Sequence, residues 1–238
     1  MEIRIDTHAH TIACGHAYNS IREMAAAGAA KGLQMMAITE HAPAMPGTCG
    51  EYFFHNLDVL PRVYNGIPVL YGVELNIMDV HGNVDLSEAV CQKLDIVMAS
   101  IHPPCFGEGH TVAEHTQAYV EAMKKPYIKI IGHPDDSRFL PDYEVIVKAA
   151  KETNTLLEVN NSSQRPMSFR KGARENTLTM LDLCKQYEVL VSTGSDAHVD
   201  TDVGNFHYIR ELFEYCSFPE ELVATTDLEK LKPYINLK

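Results

Sequence analysis

Histidine and carboxylate side chains recur in this chain at one kind of place, directly after short apolar runs. The first group is Asp6-Thr7-His8-Ala9-His10, with His16 shortly behind it. Glu40-His41, His102, His133 and Ser195-Asp196-Ala197-His198 follow later runs, and Glu74 closes the run Val69-Leu70-Tyr71-Gly72-Val73. Neutral imidazole together with carboxylate suits zinc, manganese or iron. A His-x-His pair on extended backbone sends both rings to one side, so His8 and His10 have the spacing of a metal pincer. Taken alone, the pair reads equally well as two polar loop residues. Asp196-x-His198 repeats the spacing far along the chain, and ligand-type residues after six successive runs point to one site holding several metals.

Such a site needs elements that gather distant segments. Runs at about 3–6, 35–39, 69–74, 95–100, 128–132, 156–160 and 189–193 read as strands. Several are rich in Val, Ile and Leu, as expected when both faces are buried. Helical patterns separate them. Ser20-x-x-Glu23 and Thr111-x-x-Glu114 are capping boxes, with Gly32 a natural stop for the first helix and Pro126 following the second. Asp142 is placed to cap a helix carrying Tyr143, Ile146, Val147 and Ala150. Further helices are expected at about 174–187 and 205–215, and Thr226-x-x-Glu229 opens a short one in the tail.

Alternating strands and helices give an α/β fold with a parallel sheet. The sheet is expected to close into a distorted (βα)7 TIM-like barrel, a single domain over residues 1–238. Only closure brings the C-terminal ends of all strands around one axis. Left open, neighbouring strands roughly 4.8 Å apart would spread those ends over about 30 Å. No linker, low-complexity segment or repeat interrupts the pattern.

The bulk numbers agree with one globular domain: 238 residues, 45% hydrophobic and 22% charged. A net charge of -12 repels a nucleic-acid backbone, so no nucleic-acid partner is expected. Divalent ions would make one cleft locally positive, a host for a small anion. The six cysteines form no Cys-x-x-Cys pair and are expected reduced. Cys14, between His10 and His16, is the one with a ligand's position. No signal-like N-terminus and no long apolar run appear, so a cytoplasmic location without membrane contact is expected.

The motifs Asp6-x-His8-x-His10, Thr39-Glu40-His41, Gly72-Val73-Glu74 and Gly194-Ser195-Asp196-x-His198 resemble those of the PHP (polymerase and histidinol phosphatase) family. The resemblance runs from Ile5 to about Leu212. His16-Ala17-Tyr18 and Glu158-x-Asn160-Asn161-Ser162-Ser163 narrow it to small bacterial PHP phosphatases that hold three zinc ions in a distorted seven-stranded barrel. It implies one metal on His8, His10, Glu74 and Asp196, a second on Glu74, His102 and His133, and a third on His16, His41 and His198. Glu74 would bridge the first two.

The implied activity is metal-dependent hydrolysis of small phosphomonoesters through a metal-bridging hydroxide. Zinc fits the resemblance, and manganese or iron accept the same donors. Relatives in that branch also imply a homo-oligomer, a trimer. The chain departs from the family at Glu40, where Asp is usual, and at Pro103-Pro104 and Pro134-Asp135-Asp136 after His102 and His133. These changes spare the ligands and bear on neighbouring contacts and substrate choice. Competing readings are a histidinol-phosphate phosphatase, a PHP-type nuclease and a non-catalytic metal-binding protein. The charge and the lack of a basic, aromatic-rich stripe oppose the nuclease.

Two further sets of residues frame the site. Arg165, Arg170 and Lys171 lie in the long loop after the sixth strand, either as a solvated basic stretch or as a phosphate clamp. Arg170 and Lys171 are the clamp candidates, joining Glu74 as catalytic residues, and the 160–163 run adds polar groups at the same rim. His55, His81, His110, His115 and His207 read as loop or helix-surface residues, with His55 and His81 within reach of the mouth. Met24, Met35, Met36 and Met98 read as core filling.

Overall fold

The computed structural model describes residues 1–237. Eight strands form: β1 (Ile5–Asp6), β2 (Met35–His41), β3 (Val63–Tyr64), β4 (Ile67–Asn76), β5 (Ile96–Ser100), β6 (Ile130–Ile131), β7 (Leu156–Asn160) and β8 (Val191–Gly194). The order β1-β2-β4-β5-β6-β7-β8 is parallel throughout, and β3 is a short antiparallel flap on β4. Asp196 N–H donates to His8 O at 2.8 Å and His10 N–H to Ala197 O at 2.9 Å, which draws the first and last strands together just beyond their ends. The result is a nearly closed seven-stranded barrel, as expected from the ligand positions.

The helices are α1 (Ile21–Ala30), α2 (Glu51–His55), α3 (Glu88–Cys91), α4 (Pro103–Phe106), α5 (Val112–Met123), α6 (Tyr143–Thr153), α7 (Ala173–Tyr187), α8 (His207–Tyr215) and α9 (Leu228–Leu231). Both capping boxes form at α1 and α5, and Asp142 caps α6. The tail helix differs from its sequence signature. Asp227, not Thr226, accepts from Glu229 N–H, while Thr226 is buried with its hydroxyl on Val223 O. The shorter Asx cap prevails because Thr226 packs under the barrel. No helix among the described residues is long and apolar enough to cross a membrane.

Two apolar layers follow from strand alternation. Outward residues such as Met36, Ile38, Tyr71, Val97 and Leu157 pack with the helices. Inward residues Ile5, Met35, Ala37, Leu70, Ile96, Met98, Ile130 and Leu156 form a separate inner cluster with Ala224, Leu231, Tyr234 and Ile235 of the tail. The tail therefore plugs one mouth of the barrel. The same period of two carries Leu70, Gly72 and Glu74 along one face of β4, and Leu156, Glu158 and Asn160 along one face of β7. The opposite mouth is thus lined by polar residues on apolar strands.

Candidate metal centre

All nine residues expected as ligands sit at that opposite mouth. His8, His10 and His16 follow β1, and His41 ends β2. Glu74 lies in β4, His102 follows β5, His133 follows β6, and Asp196 and His198 follow β8. His133 (φ 29°) and Asp196 (φ 53°) are held in the left-handed region that such residues rarely adopt. Backbone strain at two of these positions shows that the surrounding packing dictates where the side chains point.

Glu74 is the hub. Its Oε1 lies 2.8 Å from His133 Nε2 and 3.2 Å from His102 Nε2, and it accepts from Ser100 Oγ at 2.6 Å. Its Oε2 lies 2.8 Å from His41 Nδ1, 3.4 Å from His8 Nε2 and 3.5 Å from His10 Nε2. Asp196 Oδ1 is 3.7 Å from His8 Nε2 and 3.5 Å from His10 Nε2. The two nitrogens of His8 and His10 are 3.0 Å apart. Two ligands each roughly 2.0–2.1 Å from one zinc stand about that far apart.

Orphaned atoms test whether this donor set fits metals. Glu74 Oε2, His41 Nδ1 and His102 Nε2 are buried without hydrogen-bond partners. Glu74 Oε2 and His41 Nδ1 are 2.8 Å apart, yet neither lies along the other's bonding direction. Unpaired buried polar groups cost about 1–3 kcal/mol each, so such a cluster calls for a shared partner. Donor atoms of His8, His10 and Glu74, of His41, Glu74 and His102, and of His16, His41 and His198 each lie within 4.8 Å of one another. Carboxylates and imidazoles grouped this way fit divalent metal ions. His10, Cys14 and His198 form a further such group.

The surroundings fix four of the rings. His8 Nδ1 meets Glu158 Oε1 at 2.8 Å, His102 Nδ1 meets Asn76 Oδ1 at 2.7 Å, His16 Nδ1 meets Cys14 O at 3.1 Å and His198 Nδ1 meets Asp196 O at 3.1 Å. With Nδ1–H donating to that acceptor, the lone pair of Nε2 is left free to coordinate. Glu158 also accepts from His133 N–H at 2.8 Å. Gly194 makes room for this brace: a Cβ there would stand 2.2 Å from Glu158 Oε1 and 2.5 Å from His8 Cβ.

Electrostatics keep the two ligand-type carboxylates, Glu74 and Asp196, ionised. Burial alone would raise the Glu74 carboxyl, but His102, His41 and His8 outweigh it and hold it well below the usual range. Asp196 is likewise held low against burial, by His8, His10 and Arg170. Burial lowers His10, reinforced by His41 and His198. Glu40, buried and hydrogen-bonded to Thr11, is pushed up to about 8 by burial. Its Oε2 faces His10 Nδ1 at 3.9 Å.

Above the cluster lies a cavity of about 440 Å³. Arg170 lines it from the loop after β7, buried, with Nη1 3.1 Å from Asp196 Oδ2 and 3.1 Å from Ser163 Oγ. Ser163 Oγ in turn donates to Asp135, whose buried carboxyl also receives Thr177 and Gln164. Lys171 behaves differently. It turns away, donates to Ser168 O at 3.1 Å and borders a separate hollow. Arg165 reaches the cavity rim, paired with Asp202 at 2.6 Å. Of the 160–163 run, Ser162 lines the cavity, while Asn160, Asn161 and Ser163 are buried supports.

The remaining histidines lie outside this cavity. His55 pairs with Glu51 on α2 and His81 is exposed in a turn, so neither reaches the mouth. His115 is not a surface residue: it is buried on α5 against Phe106 and Phe139. Sequence reasoning missed Glu158, Asn76, Ser100 and Arg138 as parts of the site. A signal existed for the first two: Glu158 interrupts the apolar run Leu156-Leu157-Glu158-Val159, and Asn76 follows Glu74 at the strand period.

Comparison with known proteins agrees with this arrangement. A family model described as "PHP domain" matches residues 6–163. A probable phosphatase of Caldicellulosiruptor saccharolyticus is 44% identical over 237 residues, covering 100% of this chain and 98% of its own length. One from Thermoanaerobacter sp. is 43% identical, covering 100% and 96%. Among solved structures, a histidinol phosphate phosphatase from Lactococcus lactis, complexed with zinc, L-histidinol and phosphate, aligns with a TM-score of 0.64. It is 18% identical and covers 91% of this chain and 95% of its own, a likeness of fold.

Proposed function

The chain belongs to the PHP domain family and is a phosphatase, and from that premise we propose that it hydrolyses small phosphomonoesters at a centre of three divalent metal ions, with zinc the best fit. The observation that carries this reading is the division of Glu74. One oxygen faces His102 and His133, and the other faces His8, His10 and His41. That division supports a carboxylate shared between a first ion on His8, His10, Glu74 and Asp196 and a second on Glu74, His102 and His133. The grouping of His16, His41 and His198 supports the third.

Bound ions would acidify water near neutral pH and neutralise charge on the phosphoryl group. The protein's own residues supply the positioning. Glu158 and Asn76 hold His8 and His102 in the tautomer that leaves Nε2 free to coordinate. Arg170 faces the cavity as a fixed cation, suited to phosphoryl oxygens through its planar fork. Lys171, directed at Ser168 O, is not assigned that role. Uncatalysed monoester hydrolysis is among the slowest biological reactions, and a positively charged pocket in an acidic protein suits a small dianion.

The test is phosphate release from a panel of esters by the zinc-loaded and the chelated protein. Turnover of several monoesters by the loaded form alone is expected. Turnover of histidinol phosphate alone would narrow the enzyme to that substrate. Full metal loading with no turnover would replace catalysis by metal binding.

A further inference from the structure

The cavity above the metal centre is larger than a phosphoryl group needs, at about 440 Å³. Besides the candidate ligands its wall has an apolar part, Met45, Ile101, Pro103, Pro104 and Phe169, and a polar part that includes Arg138, Arg165 and Ser162. Phe169 stands out because the residue is 64% exposed and yet its ring is held in place. Arg138 Cζ lies 5.2 Å from the ring centroid and Arg170 Cζ lies 5.0 Å from it. Arg138 is itself fixed by a fork on Asp136, with Nε 3.0 Å from Oδ1 and Nη2 2.6 Å from Oδ2. Guanidinium groups within about 6 Å of a ring are attracted to it. An exposed phenyl ring is thus pinned at the mouth by two cations, one of which also pairs with Asp196.

We propose that this part of the cavity is a leaving-group subsite, and that the alcohol released carries a flat aromatic or heteroaromatic ring that packs on Phe169. The proposal rests on the phosphomonoesterase reading of the metal centre. Three features select this chemistry. On the apolar part of the wall the proline, Ile and Met side chains cannot hydrogen-bond, so an alcohol packed there gains more from a ring than from hydroxyls. A ring gains both apolar contact and ring-to-ring geometry on Phe169. An ammonium-bearing alcohol meets Arg138, Arg165 and Arg170, while Asp136 and Asp202 are already taken by Arg138 and Arg165. The ring must also lie close to the ester, since Arg170 touches both Phe169 and Asp196. An arylmethyl phosphate has that reach.

The experiment compares benzyl phosphate, cyclohexylmethyl phosphate and glycerol 3-phosphate, all esters of primary alcohols, on the zinc-loaded protein. Benzyl phosphate should give the highest kcat/KM, by about fivefold or more over cyclohexylmethyl phosphate and by more over glycerol 3-phosphate. Phe169→Ala should cut kcat/KM for benzyl phosphate by roughly five- to twentyfold. The loss on glycerol 3-phosphate, whose alcohol carries no ring, should be at least severalfold smaller, and Phe169→Tyr should retain the preference. Equal turnover of the three esters, or an equal loss on all of them in Phe169→Ala, would overturn the proposal. Calorimetric binding of benzylphosphonate against methylphosphonate keeps it separate from the catalytic reading. A ring preference in binding that is lost in Phe169→Ala would sustain the subsite even if no ester were hydrolysed, and equal binding of the two phosphonates would overturn it.

Discussion

Replacing Glu74 by glutamine keeps the shape of the side chain and removes its charge. The carboxylate has five imidazole nitrogens within 3.5 Å, divided between its two oxygens. An amide can offer one oxygen to one group of nitrogens, but it turns an NH2 donor toward the other. At an effective dielectric constant of 20, two unit charges about 4 Å apart interact by ~4 kcal/mol. Taking only one unit of a metal's charge, the loss corresponds to roughly a thousandfold weaker binding at about 1.4 kcal/mol per tenfold. Glu74→Gln should therefore lose at least one metal equivalent when dialysed against buffered free zinc that saturates the unaltered protein. Its kcat/KM should fall by about a thousandfold or more. Elemental analysis and phosphate release on the same samples provide the assay. His198→Ala should lose less, because His198 is proposed to hold the third ion and is not among the imidazoles around Glu74. A Glu74→Gln protein that keeps the full metal content and turns over within about tenfold of the original would refute the bridging argument.

Arg170→Ala should lower kcat/KM by about ten- to a hundredfold, from a charged hydrogen bond worth roughly 1.5–3 kcal/mol, with metal content intact; Arg170→Lys should recover part, and Lys171→Ala should change it by less than about twofold, all read by steady-state kinetics. Glu158→Gln should weaken metal binding by roughly 10–100-fold, because His8 loses the carboxylate that sets its tautomer, measured by competition with a chelator. Gly194→Ala should destabilise the protein by about 1–3 kcal/mol in denaturant unfolding, since its Cβ would overlap Glu158 and His8. In the metal-free protein, burial raises Glu40 from 4.5 to about 8. The folded state then keeps a proton that the unfolded chain releases, so this contribution is full below pH 4.5 and declines as pH rises to about 8. Glu40→Gln, which carries the equivalent of that proton at every pH, should flatten the decline seen in thermal melts.

The candidate metal ligands are legible in the sequence because each ends or follows an apolar strand, and a parallel barrel brings every strand end to one mouth. On β4 the period of two puts Glu74 on the same inner face as Leu70. Residues on irregular backbone were harder to read. His133 and Asp196 owe their directions to left-handed conformations that no spacing rule encodes. Arg170 and Lys171 are neighbours of one type, and the pull of Asp196 and Ser163 decides between them. Glu158 was quoted in a motif, but its role depends on meeting His8, 150 residues away in sequence. Arg138 reaches the cavity only because Asp136 holds it after the turn that follows His133. The tail looked like one more helix, and its function as a plug became visible only when Leu231 and Tyr234 met Ile5 and Leu156 inside the barrel.

The central claim is that phosphomonoester hydrolysis depends on a multi-metal centre bridged by Glu74. It is tested most directly by titrating the metal-free protein with zinc while following phosphate release from benzyl phosphate. Activity should stay near zero through the first equivalent, rise steeply as the Glu74-shared pair fills, and level off at about three equivalents. Full activity in the metal-free protein, or activity complete at a single equivalent, would contradict it.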